Sequence, residues 1–127
     1  MRNERSDEHH KIQRAVIQFA RDACHAYPEL LGLYAIPNGG KRDKIAAAKL
    51  KAEGVLAGVW DLHLPVPVGG YAGLWIEIKH GKDTLSTSQQ QWGEYVRHYG
   101  HATCIAYTAQ EAIHFLIEYI NGQKRRW

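Results

Sequence analysis

The run Leu74-Trp-Ile-Glu-Ile-Lys79 constrains this chain more than any other segment. Its apolar positions are aromatic, β-branched or Leu, the composition of a buried strand. Side chains on a strand alternate between faces, so Glu77 and Lys79 share one face while Ile76 and Ile78 point to the other. A strand this apolar belongs near the middle of a sheet, where an unpaired charge is costly. The fold must therefore provide company for Glu77. The glycine-marked run Gly54-Val-Leu-Ala-Gly58-Val-Trp-Asp61 ends in a second acid and reads as the approach to a neighbouring strand.

The rest of the chain alternates helical and extended patterns. Residues 1–7 read as a polar, flexible lead-in, residues 8–122 as a single domain, and residues 123–127 as a basic, frayed tail. Ile12, Val16, Phe19, Ala20 and Ala23 recur at helical spacing, and Pro28 closes that helix because proline disfavours helical backbone in the residue before it. A short strand is expected over 31–36, ahead of the turn signal Pro37-Asn38-Gly39-Gly40. Asp43 to Glu53 is rich in helix formers and is followed by Gly54. Strands are expected over 58–66 and 73–79, separated by a proline-containing turn. A helix from Ser86 to Tyr99, a strand from Ala102 to Tyr107 and a helix from Thr108 complete the pattern. This is an α/β (α+β) domain: a central mixed sheet flanked by helices.

Composition narrows the function. The chain has 127 residues, enough for one domain with a real core. No run of about eighteen apolar residues suggests a membrane span, and the polar start lacks a signal-peptide pattern, so a cytoplasmic protein is expected. Cys24 and Cys104 lie far apart in apolar surroundings and read as buried free thiols, not a zinc site. The eight histidines are scattered; His98-x-x-His101 straddles Gly100 and lacks the single-helix geometry of a zincin site. His80, directly after Lys79, is placed to touch a substrate. Neither a phosphate-binding P-loop nor a nucleophile elbow is present. A net charge of +3 permits binding to a polyanion without demonstrating it.

Two carboxylates and an amine at one site have a chemical use. Asp61 and Glu77, with the Ile78 backbone carbonyl, offer hard oxygen donors to Mg²⁺ or Mn²⁺. A divalent ion held this way acidifies a water and neutralises phosphate charge, while Lys79 orients the attacking water or stabilises developing charge. That combination suits hydrolysis of a phosphodiester. The plainer reading is an Asp that caps a turn and a Glu-x-Lys that forms a solvated ion pair.

The pieces Gly54-Val55, Gly58-Val-Trp-Asp61-Leu62, Leu64-Pro65, Gly73-Leu-Trp-Ile-Glu77-Ile-Lys79 and Leu85-Ser86-x-x-Gln89-x-x-Trp92, with Pro37-Asn38-Gly39-Gly40 and Arg42 upstream, resemble the VRR-NUC domain. That family belongs to the PD-(D/E)XK nuclease superfamily, and the resemblance implies a restriction-endonuclease-like core from about Glu8 to Ile120. It implies that Asp61 and Glu77 are metal-binding acids, Lys79 the catalytic lysine and Gln89 a supporting or substrate-touching residue. The family also carries a glutamate and then a glutamine on its first helix. Gln13 matches the glutamine, but His9 stands four positions before it, where the acid is expected. Glu8 is one position earlier, and a shift of the helix start would bring it to the metal. Trp60 departs from the family's usual proline.

Stand-alone members of the family, found in phages and bacteria, resemble Holliday-junction resolvases and work as homodimers; in larger proteins the domain cuts flaps. The resemblance thus implies a structure-selective endonuclease on branched DNA. Asn38, Lys41, Arg42 and Lys82 are candidate DNA contacts, with Lys44 and Lys51 on the same helix face; a solvated helix surface explains the lysines equally well. A second class remains open, a non-catalytic DNA-binding or interaction module that keeps the nuclease fold.

Overall fold

The structure, a computed structural model, describes residues 4–37 and 43–127, with side chains from residue 7 onward. Four strands, β1 (Tyr34–Ala35), β2 (Leu62–Leu64), β3 (Leu74–Ile78) and β4 (Ala102–Ala106), form one sheet in sequence order. The pairs β1–β2 and β2–β3 are antiparallel, whereas β3 and β4 run parallel. Parallel neighbours need a crossover, and α3 (Thr87–His98) provides it. The sheet is therefore mixed, as the fold class expected from the sequence requires.

All five residues of β3 are buried, because helices cover both faces. Leu74, Ile76 and Ile78 join Val16, Ala20, Leu62, Leu64, Leu116 and Tyr119 in the larger core, beneath α1 (Glu4–Ala23) and α4 (Ala109–Ile120). Trp75 points to the opposite face and packs with Trp60 and Val96 under α3. The two-residue alternation in β3 thus sends aliphatic residues to one layer and Trp75 and Glu77 to the other. The remaining helix, α2 (Lys44–Ala52), buries none of its residues; Asp43 caps it by accepting from the Ala46 N–H at 2.6 Å.

Three expectations change. The first helix is already formed at Glu4, inside the stretch expected to be a loose lead-in. The expected strand over 31–36 shrinks to Tyr34–Ala35, because Pro28 starts a 3-10 helix, Pro28–Gly32, that buries Leu30. The C-terminal tail is docked, not frayed. The Trp127 main-chain oxygen accepts from the Thr103 hydroxyl at 2.6 Å and its N–H at 3.2 Å. Its indole meets Phe115 and Tyr119 edge-on, and Arg125 pairs with Glu118. A terminal tryptophan has apolar surface to bury, and α4 offers a place for it.

Candidate functional site

Register brings the two acids together. Leu62 faces Ile76 across the β2–β3 ladder, so the preceding residue, Asp61, comes beside Glu77. Asp61 is fixed before the strand begins: its carbonyl accepts from the Ile36 N–H at 2.9 Å. Its own N–H donates to Glu77 Oε1 at 3.2 Å, and its Oδ2 accepts from the Ile78 N–H at 2.9 Å. Both side chains are nearly enclosed, with Asp61 7% and Glu77 2% exposed.

Lys79 completes the cluster from just past the end of β3. Its Nζ lies 3.2 Å from Glu77 Oε2 and donates to Gln89 Oε1 at 2.8 Å. Gln89 is itself immobilised by the start of α3. Ser86 Oγ accepts from the Gln89 N–H at 3.2 Å, and Gln89 Oε1 accepts from the Ser86 N–H at 2.9 Å, a reciprocal capping box. The same side-chain oxygen therefore caps a helix and holds the lysine. Trp60 adds a second tie, donating from its indole to the Gln89 carbonyl at 2.8 Å. Close approach of this layer to α3 depends on two glycines. A Cβ on Gly58 would collide with the Ser88 backbone, and one on Gly93 would sit 2.7 Å from the Trp60 ring.

Charge in this enclosure is strained toward neutrality. Burial first, and the Asp61 carboxylate second, push the Glu77 carboxyl up to about 7, against the opposing pull of Lys79. His9, on α1, places Nε2 3.0 Å from Asp61 Oδ2, and that hydrogen bond holds its imidazole above the ordinary range despite burial. Two buried carboxylates side by side form a donor set of hard oxygens, which fits Mg²⁺ or Mn²⁺. The Ile78 carbonyl points to the same strand edge as its N–H, which faces Asp61. Among the described residues no group of three or more His, Cys, Asp and Glu has metal-enclosing spacing. An ion here would depend on two carboxylates and a carbonyl, with water and substrate oxygens as its other partners, the usual manner of Mg²⁺.

The remaining candidates are placed less centrally. Glu8 lies about 100° around the helix from His9, and its carboxylate meets Lys11 Nζ at 3.3 Å. The helix phase thus delivers His9, not Glu8, to Asp61. Gln13 is one turn further along and partly buried. Lys82 is exposed in the loop after β3, and Asn38, Lys41 and Arg42 lie outside the described residues. The sequence spacing of His9 to Gln13 carried the signal for His9, but its imidazole was not expected to bond the acid. The tie from Trp60 to α3 had no local signature.

Beside the acids runs an open groove of about 630 Å³, lined by Leu50, Lys51, Val55, Leu56, Gly58, Asp61, Ser86, Ser88 and Gln89 among others. Its floor reaches the candidate site, and its walls come from α2 and the start of α3. The groove thus opens the Asp61 end of the cluster to the outside.

The fold and the cluster define an α+β domain with an acid-acid-lysine site at the end of its central strands. The chain matches a solved structure named VRR_NUC domain protein with a TM-score of 0.72 and 23% sequence identity, over 92% of this chain and 95% of that one. It has the fold of that protein along nearly its whole length. No protein-family model and no curated protein matches the sequence.

Proposed function

We propose that this chain is a VRR-NUC endodeoxyribonuclease that hydrolyses phosphodiester bonds in branched DNA with Mg²⁺ or Mn²⁺. One observation carries the reading: Asp61 and Glu77 are buried side by side with Lys79 clamped beside them, and Asp61 lines an open groove. When bound, the divalent ion supplies an acidified water and neutralises phosphate charge. Asp61, Glu77 and the Ile78 carbonyl would hold it. Lys79 aims its ammonium at the scissile phosphate, where negative charge develops, and Gln89 keeps it from swinging back to solvent. Lys82, with Asn38, Lys41 and Arg42, contributes phosphate contacts that position the duplex without reading its bases. His9 occupies the place of the expected acid, and its imidazole holds Asp61 in position.

The substrate, the assembly and the setting belong to the same reading: a homodimer in a bacterial or phage-infected host cytoplasm, whose two sites face two strands of a Holliday junction or a flap. The test is to compare a four-way junction, a flap and linear duplex with Mg²⁺, Mn²⁺ or EDTA, using wild type, Asp61→Ala, Glu77→Ala and Lys79→Met. Cleavage of the branched substrates by wild type alone, stopped by EDTA, is the expected result. Undiminished cleavage by either acid variant would remove the site. A DNA-binding module that keeps the fold is the second reading, and the His9–Asp61 bond is the observation on its side. It wins if wild type binds junctions but leaves them uncut with either metal.

A further inference from the structure

Along α3, the side chains at 88, 92, 95 and 99 share one face. Ser88 lines the groove at Asp61. Beyond it lies a continuous aromatic strip: Trp92 and Tyr95 are stacked at 5.6 Å and 28°, and Tyr95 and Tyr99 meet at 5.1 Å. Tyr95 is 57% and Tyr99 63% exposed, an arrangement that hydrophobic packing within this chain does not explain. Beneath the strip, Trp92 packs edge-on against Trp75, which stacks on His63 at 3.9 Å. Among the described residues, the buried side-chain nitrogens without a hydrogen-bond partner are His63 Nε2, Trp75 Nε1, Trp92 Nε1 and His101 Nδ1. All four belong to one aromatic layer enclosed beneath the strip, which backs the exposed rings with a rigid floor.

We infer that this strip is a stacking platform for an unpaired DNA strand leaving the candidate site, so that the substrate carries a single-stranded arm. The inference rests on the nuclease reading and specifies its substrate. Ser88 joins the strip to the groove that Asp61 lines, which places any strand lying on it in line with the candidate site. Nucleobases present a π-face to each exposed tyrosine, and the strip's link through Ser88 to the groove at Asp61 favours a DNA strand over an apolar helix from a second copy. From Ser88 to Tyr99 is eleven residues, roughly 16 Å of helix. A strand with a rise of about 3.4 Å per nucleotide would lay about five nucleotides there.

The test measures anisotropy of a short labelled oligo(dT) in EDTA, with wild type, Tyr95→Ala/Tyr99→Ala and Tyr95→Phe/Tyr99→Phe. Both tyrosines are exposed, so the variants are expected to fold, and circular dichroism verifies it. The alanine pair should weaken binding by at least about tenfold, since stacking on one aromatic is worth on the order of fivefold or more. The phenylalanine pair should bind within about twofold of wild type, because the rings remain. Unchanged affinity in the alanine pair overturns the inference. So does a wild-type dimer, seen by sedimentation, that the alanine pair dissociates while oligo(dT) affinity stays the same; the strip would then belong to a second copy. Because binding is read without metal, the two readings fail separately. Tyrosine-dependent binding in a protein that cuts nothing sinks the nuclease and leaves the platform, and normal cleavage with tyrosine-independent binding does the reverse.

Discussion

Glu77→Gln should make the metal-free protein more stable while removing the proposed cleavage activity. In the fold the Glu77 carboxyl is pushed from 4.5 to about 7, chiefly by burial and then by Asp61. It stays protonated where the unfolded chain has ionised, so the folded state binds more protons between those values. Stability therefore falls as pH rises from 4.5 to about 7 and levels off above. A shift of that size corresponds to about 3 kcal/mol. Glutamine keeps the shape and removes the ionisation, but it leaves Lys79, only 13% exposed, without its carboxylate. The net gain near neutral pH should be about 1–2 kcal/mol, or about 3–8 °C in Tm. Thermal unfolding in EDTA at about pH 5 and about pH 7.5 separates this from packing effects. The variant should match wild type at the lower pH and exceed it at the higher. An equal difference at both, or a less stable variant at the higher pH, would refute the reasoning. Adding Mg²⁺ should stabilise wild type and not the variant, since only binding to the folded state shifts the equilibrium.

Other outcomes are specific. In the Glu77→Gln background, stability should fall by about 2 kcal/mol as pH drops from 6.5 toward 4, because burial first and His101 second hold the His63 imidazole down at about 4. His63→Phe should flatten that acid limb in thermal unfolding. Gly93→Ala places a methyl against the Trp60 ring and should cost about 1–3 kcal/mol, read as a lower denaturation midpoint. Ser86→Ala should cost about 1 kcal/mol through its lost cap, and Gln89→Ala should lose the lysine's partner as well. Comparing cleavage per folded molecule should therefore show a larger defect in Gln89→Ala than in Ser86→Ala.

The central strands, α3 and α4 were legible in the sequence because period-two and helical patterns there coincide with burial. The ladder is shorter than expected over 58–66, since only Leu62–Leu64 form the strand, opposite Leu74–Ile76, and Asp61 enters as a cross-strand neighbour. The acids and the lysine could be read locally because charges at the end of an apolar strand need an explanation. His9 could not be assigned in the same way: a one-residue difference in helix phase exchanges it with Glu8, and nothing in the local pattern fixes that phase. The docked tail depends on Trp127 finding Phe115 and Tyr119, contacts that close only after α4 is in place.

The shared oxygen of Gln89 has a consequence for how this protein would fail. Helix ends fray at far lower cost than whole domains melt, and here the first turn of α3 and the alignment of Lys79 depend on one amide. Warming that unwinds this turn would release the ammonium while the sheet is still intact. Inactivation should then precede the loss of far-ultraviolet signal, and any ligand that clamps the turn would widen the temperature range over which the protein works.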